Sequence, residues 1–222
     1  MDLGVPSKNI LVSPSGVDMD EYSNIPDDIE IKGLEDNDFI YGYIGTLKTM
    51  GMEKAVKIGL ETLKLLPPNF KFLIVGGGGD DLLYYKNIAL ELGVNDRAIF
   101  LGEVSHSQIY SYSKKCDVLV APFPENEHYN YFMSPLKIFE YMASKRPIIA
   151  TDLPSIREVL VNGENSILVP PSDSKALADA IISLKEDSSY AEKISNQAFS
   201  DVIKKYTWQI RVKNIITFIK SQ

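Results

Sequence analysis

Short apolar runs alternate along the chain with stretches whose apolar positions recur every three or four residues. The runs Ile10–Ser13, Phe39–Gly45, Lys71–Gly76, Ala98–Gly102, Val118–Phe123, Pro147–Thr151 and Ser166–Pro170 are rich in Val, Ile and Phe and read as strands. Between them, Met52–Leu66, Asp80–Gly93, Ser107–Cys116, Pro135–Ser144 and Ser155–Val161 have helical spacing. Pro67-Pro68 stops the first helix, Asp80-Asp81 opens the second, Gly93 closes it, and Ser155 is the expected cap of the fifth. Helices at Ser174–Lys185, Ser189–Lys205 and Trp208–Ser221 finish the chain, and the polar stretch Asn24–Asp38 is expected to be a surface connection.

Strands separated by helices require crossover connections and a parallel sheet. The runs are apolar throughout, as expected for strands covered on both faces. The expectation is an α/β domain over residues 1–222: a doubly wound, Rossmann-like parallel sheet of about six strands. Ligands of such sheets bind beyond the carboxyl ends of the strands, so the loops after Gly45, Gly76, Gly102, Phe123 and Thr151 are the places to search.

Composition narrows the chemistry. With 222 residues, 45% of them hydrophobic, the chain can bury a full core unaided. A net charge of −7 argues against a nucleic-acid polymer as partner. One cysteine, Cys116, rules out an internal disulfide and points to a reducing compartment, the cytoplasm. No apolar run approaches the roughly 18 residues of a membrane span. The two histidines, His106 and His128, do not stand at metal-ligand spacing with Cys116, and no metal is expected.

Three loops carry candidate chemistry. In "YIGTLKTMG", Gly45, Thr46 and Lys48 lie between a strand and a helix, where amides and one lysine can cradle a diphosphate. An ordinary loop with a solvated lysine is the plainer reading. In "IVGGGGDD" the dinucleotide pattern G-x-G-x-x-G fails at Asp81. A flexible turn with acidic caps competes there with a turn that admits a flat base. In "SPLKIFEYMA", Pro135 takes the first helical position, and Lys137 and Glu140 share one face. A surface ion pair competes there with a carboxylate that faces the cleft and accepts two adjacent hydroxyls. "PENEHYNY" (Pro124–Tyr131) reads as a mobile loop or as a lid.

Taken in order, the segments resemble the carboxyl-terminal half of retaining GT-B glycosyltransferases of family 4. The resemblance runs through "ILVSPSGVDMDEY", "YIGTLKTMG", the block from Phe72 to Phe123, "PLKIFEYMASKRPIIATDLPSIREVLVNGENSILVP" and the closing "YTWQIRVKNI". It implies that Glu140 is the second glutamate of the family's E-x7-E pattern and holds the ribose of a nucleotide sugar. Phe132 stands where the first glutamate would be, and Thr46 replaces the loop arginine, which leaves Lys48 as the phosphate cation. Ser134 Oγ stands in for the donor that Pro135 lacks. Lys48 and Glu140 are thus the expected catalytic residues, and Gly45, Thr46, Gly77, Leu82, Val104, Ser134, Leu136 and Lys137 the expected donor-binding ones. The donor is a nucleoside diphosphate sugar of UDP or GDP type; no separate cofactor is implied. Residues 1–22 resemble a segment leaving an amino-terminal, acceptor-binding half, expected in cis or in trans, and residues 206–222 the closing helix. Peripheral membrane attachment through that half is compatible with the sequence. A non-catalytic nucleotide-binding or assembly module is the competing reading.

Overall fold

The computed structural model describes residues 4–22, 29–49, 52–54 and 56–221. Six parallel strands form the sheet: β1 (Phe39–Ile44), β4 (Phe70–Val75), β5 (Ala98–Gly102), β6 (Val118–Ala121), β7 (Ile148–Thr151) and β8 (Ile167–Val169). β2 (Lys48–Thr49) and β3 (Met52–Glu53) make a small antiparallel hairpin after β1. Among the described residues there are eight α-helices, in chain order: α1 (Val56–Leu63), α2 (Gly79–Glu91), α3 (His106–Lys115), α4 (Leu136–Ala143), α5 (Pro154–Arg157), α6 (Ser174–Glu186), α7 (Ser188–Lys205) and α8 (Trp208–Lys220).

The strand order is β5-β4-β1-β6-β7-β8. The chain runs outward from β1 in one direction, then returns to its other side at β6. This is the doubly wound order, and it opens a crevice between the carboxyl ends of β1 and β6. Alternation along the strands divides the core in two. Tyr41, Tyr43, Phe72 and Ile74 face α1, α2 and α6, while Ile44, Leu73, Val75 and Leu119 face α4 and α5. Gly42 leaves room for Cys116, whose Sγ would lie 2.2 Å from a Cβ built at that position.

Three expectations need correction. Ile10–Ser13 lies outside the sheet, with Ile10 and Val12 54% and 82% exposed. Its β-branched residues set a preference for extended backbone, but no strand pairs with it among the described residues. The first helix does not start at Met52. Met52–Glu53 turns back on Lys48–Thr49, and Lys54 N donates to Leu47 O (3.1 Å), so α1 begins only at Val56. Ser155 is not a cap. Leu153 takes that position, and the Ser155 hydroxyl donates to Tyr129 O (2.6 Å). Of the expected surface connection, residues 24–28 lie outside the described residues, and 29–38 form turns.

At the crevice the β1–β6 register covers only Tyr41–Val118 and Gly42–Leu119. Ile44 therefore has no strand partner on that side. The Tyr141 hydroxyl of α4 fills the gap, accepting from Ile44 N (2.8 Å) and donating to Ile44 O (3.1 Å) in a fully buried setting. Tyr141→Phe leaves both backbone groups unpaired, a change that costs about 1–3 kcal/mol for a buried polar group. Urea unfolding of the variant is expected to show that loss with an unchanged slope; unaltered stability would mean that water or another group satisfies Ile44.

Candidate functional site

Two adjoining cavities occupy the crevice. The first, ≈330 Å³, is lined by Gly45, Thr46, Lys54, Phe123, His128, Tyr129, Ser134, Leu136, Lys137 and Glu140, among others. The second, ≈470 Å³, is lined by Gly45, Thr46, Lys48, Gly76, Gly77, Gly78, Asp81, Glu103, Val104 and Ile109, among others. The loop Ile44–Gly45–Thr46 borders both. Its shape comes from below: the buried Tyr43 hydroxyl donates to Thr46 O (2.8 Å). Gly76 is required where the loops meet, with φ +115° and a would-be Cβ 2.3 Å from Gly45 O.

Each expected residue has a definite place. Gly45, Thr46, Ser134, Leu136, Lys137 and Glu140 come together around the first cavity, and Gly77, Val104 and Lys48 around the second. Leu82 is not among the lining residues; it packs from α2 against the core. Ser134 Oγ accepts from Ser15 N (3.3 Å), which ties the leading segment to the mouth of the first cavity. Pro135 is the cap rather than the first residue of α4, so its missing N–H is not demanded there. Pro124–Tyr131 is no open loop: His128–Phe132 makes one wide helical turn, with Tyr129 buried against Phe123. Phe132, at the position of the expected first glutamate, is 71% exposed.

The charges are arranged less simply than the spacing suggested. Lys48 pairs with Asp81 (3.2 Å) and lies 4.1 Å from the centre of the Tyr84 ring. Lys54, not singled out in the sequence, donates to Thr46 Oγ1 (2.8 Å). Burial lowers the pKa of its amine. Lys137 is buried, not a surface partner of Glu140, and its Nζ has no hydrogen-bond partner among the described residues. It rests 3.3 Å from the centre of the Tyr43 ring. A desolvated cation–ring contact contributes about 2 kcal/mol. That does not offset the several kcal/mol of desolvating an ammonium. Burial first, then Lys54, therefore hold the Lys137 amine well below the ordinary lysine range, against the pull of Glu140.

Glu140 keeps 24% of its side chain exposed, toward the same space. His106 approaches it (Nε2 to Oε1, 3.9 Å) and also Glu21 (Nδ1 to Oε2, 3.5 Å). Burial raises the Glu140 pKa, with His106 and Lys137 acting in the opposite direction and Glu21 adding to the rise. His106 and Lys54 were missed because neither stands in a motif. Lys54 arrives through the β2–β3 hairpin, and His106 through the start of α3. Among the described residues no group of three or more His, Cys, Asp or Glu could hold a metal ion. No described helix is long and apolar enough to cross a membrane.

The family model for "Glycosyl transferases group 1" matches residues 24–201. The chain belongs to this family. Among its relatives, the phosphatidyl-myo-inositol mannosyltransferase of Mycobacterium leprae is 28% identical over 211 residues, 91% of this chain and 51% of that protein. An uncharacterized glycosyltransferase of Methanocaldococcus jannaschii is 25% identical over 189 residues, 85% of this chain and 46% of that protein. The group 1 chain thus spans about half the length of the curated relatives it matches. Solved structures share its fold, a single GT-B half. Anabaena HepE in complex with UDP-glucose superposes with a TM-score of 0.72 at 22% identity, over 84% of this chain and 50% of HepE. The carboxyl-terminal domain of the group 1 protein LpcC from Francisella tularensis gives 0.69 at 24% identity, covering 87% of this chain and 100% of that one.

The raised Glu140 pKa sets a pH-dependent prediction. Between the unfolded and folded pKa values the folded chain binds more protons, so the group lowers stability as pH rises through that window. Glu140→Gln is expected to raise the melting temperature at neutral pH. The gain should vanish below the ordinary glutamate value of about 4.3. Thermal unfolding followed by circular dichroism checks this; a gain that persists in acid would assign it to packing instead.

Proposed function

We propose that the chain is the donor-binding half of a retaining glycosyltransferase that transfers a sugar from a nucleoside diphosphate sugar. The acceptor is bound by an amino-terminal half, in cis or in trans. The observation that carries this reading is Glu140 itself. A carboxylate lines the cavity at the reversal of strand order, on a packed helix fixed to β1 by the adjacent Tyr141. Burial opposes its charge, and two adjacent hydroxyls donated by a ligand would offset that opposition. The second cavity, between the glycine turn and Val104, supports placing the base there. HepE, with UDP-glucose bound, lends support through its fold.

In the transfer, the bond from the anomeric carbon to the diphosphate oxygen breaks. Its electron pair stays on the leaving diphosphate, which takes the proton of the attacking acceptor hydroxyl. The new bond forms on the same face of the sugar. Stabilising the charge that develops on the diphosphate is this half's main contribution to rate. Holding the ribose on a rigid helix fixes the anomeric carbon before the acceptor arrives.

The test compares ribose with its absence. UDP, GDP and ADP are screened by thermal shift, and the binder is titrated calorimetrically beside its 2′,3′-dideoxy analogue. Glu140→Gln is expected to weaken the ribonucleotide by about 1.5–3 kcal/mol, the range for hydrogen bonds to a charged group. The dideoxy analogue should be nearly unaffected. Equal losses on both ligands would show that Glu140 does not hold ribose.

A further inference from the structure

Lys137 is a buried amine. Its Nζ has no acceptor among the described residues, although it lines a solvent-connected cavity. Gly45, whose φ of +137° favours glycine, lies beside it: a Cβ there would stand 2.9 Å from Lys137 Cε and 3.2 Å from Nζ. The groups facing the amine come from every side. Tyr43 lies against it from β1, Glu140 and Tyr141 share its helix, and His128 and Tyr129 line the same cavity. Lys54 faces it from beyond the hairpin, bonded to Thr46 Oγ1. Two lysines thus converge on Gly45 and Thr46, and among the described residues neither forms an ion pair with a carboxylate. Lys48, by contrast, is already paired with Asp81.

We propose that Lys137 and Lys54 together meet the donor's diphosphate, and that Lys137 takes up proton from solvent as the diphosphate binds. The inference rests on the donor-binding reading and deepens it. An unpartnered ammonium in this position is opposed by desolvation and by Lys54. A diphosphate with two negative charges at the loop removes both objections at once, by pairing the charge and offsetting the second cation. Burial and Lys54 hold the amine's pKa low before the ligand arrives, and the ligand raises it. Affinity should therefore fall as pH rises between the free and bound pKa values, and level off below and above that window. Glu140 can contribute with opposite sign, by losing a proton as it accepts the ribose. The proton taken up by Lys137 is thus read as a difference between proteins.

The probes are UDP-glucose and GDP-mannose, whose diphosphates do not ionise near neutrality, and uridine and guanosine as their diphosphate-free counterparts. Calorimetric titration at one neutral pH, in PIPES and in Tris, gives the number of protons exchanged on binding. Wild type is expected to take up more proton than Lys137→Met, which should also bind the nucleotide sugar roughly tenfold or more weakly while binding the nucleoside unchanged. Lys137→Arg, permanently charged, should lose the extra uptake yet keep a preference for nucleotide sugar over nucleoside. It also serves if the methionine variant fails to fold. Binding with identical proton counts in wild type and variants overturns this inference and leaves the Glu140 reading standing. Binding of neither nucleotide sugar by wild type overturns both.

Discussion

One tyrosine hydroxyl holds the site together. Where the sheet reverses its order, β1 and β6 part, and Ile44 is left with an N–H and a C=O that no strand can satisfy. Every doubly wound sheet has this gap, and it is what makes a crevice there. Here the gap is closed by Tyr141 rather than by water or ligand. The closure fixes α4 to the last residue before Gly45, so the helix carrying Lys137 and Glu140 and the loop carrying Gly45 and Thr46 share one anchor. The two cavities inherit their relative geometry from it.

The surroundings of that anchor are electrostatically unfavourable on purpose of position alone. A carboxylate is partly desolvated, two lysines approach one loop, and one of them has no acceptor among the described residues. None of these contributes to the stability of the empty fold, and burial works against each. Such groups persist in a packed core when a ligand completes them, which is why perturbed charges gather at binding sites. The stability needed to hold them comes from the apolar layers on both faces of the sheet, where Tyr41, Phe72, Leu119 and Ile148 are fully buried.

The sheet was legible in the sequence because all seven apolar runs obey a local rule, and six of them are its strands. Continuous apolar residues bounded by turn signals give a strand wherever helices can cover both faces. Ile10–Ser13 satisfies the same local rule and still lies outside the sheet, because pairing depends on a neighbour and a neighbour is not a local property. Glu140 was readable from its setting in an apolar helix. Lys137 was less so, since a spacing of three predicts a shared face but not its depth. Lys54 and His106 were illegible: each reaches the crevice through a turn whose direction only the folded chain defines. Lys48, the lysine that the glycine loop advertised, pairs with Asp81 of α2.

Cys116 offers a different kind of consequence. Its thiol fills the space left by Gly42 on β1, is buried, and is held well above the ordinary thiol range by that burial. A thiol reagent therefore meets no reactive sulfur in the native chain. It can react only when β1 and the end of α3 separate, and β1 is the strand that leads to Gly45. The single cysteine is thus a built-in clock for separation of β1 from the end of α3, and the rate of its labelling counts those openings.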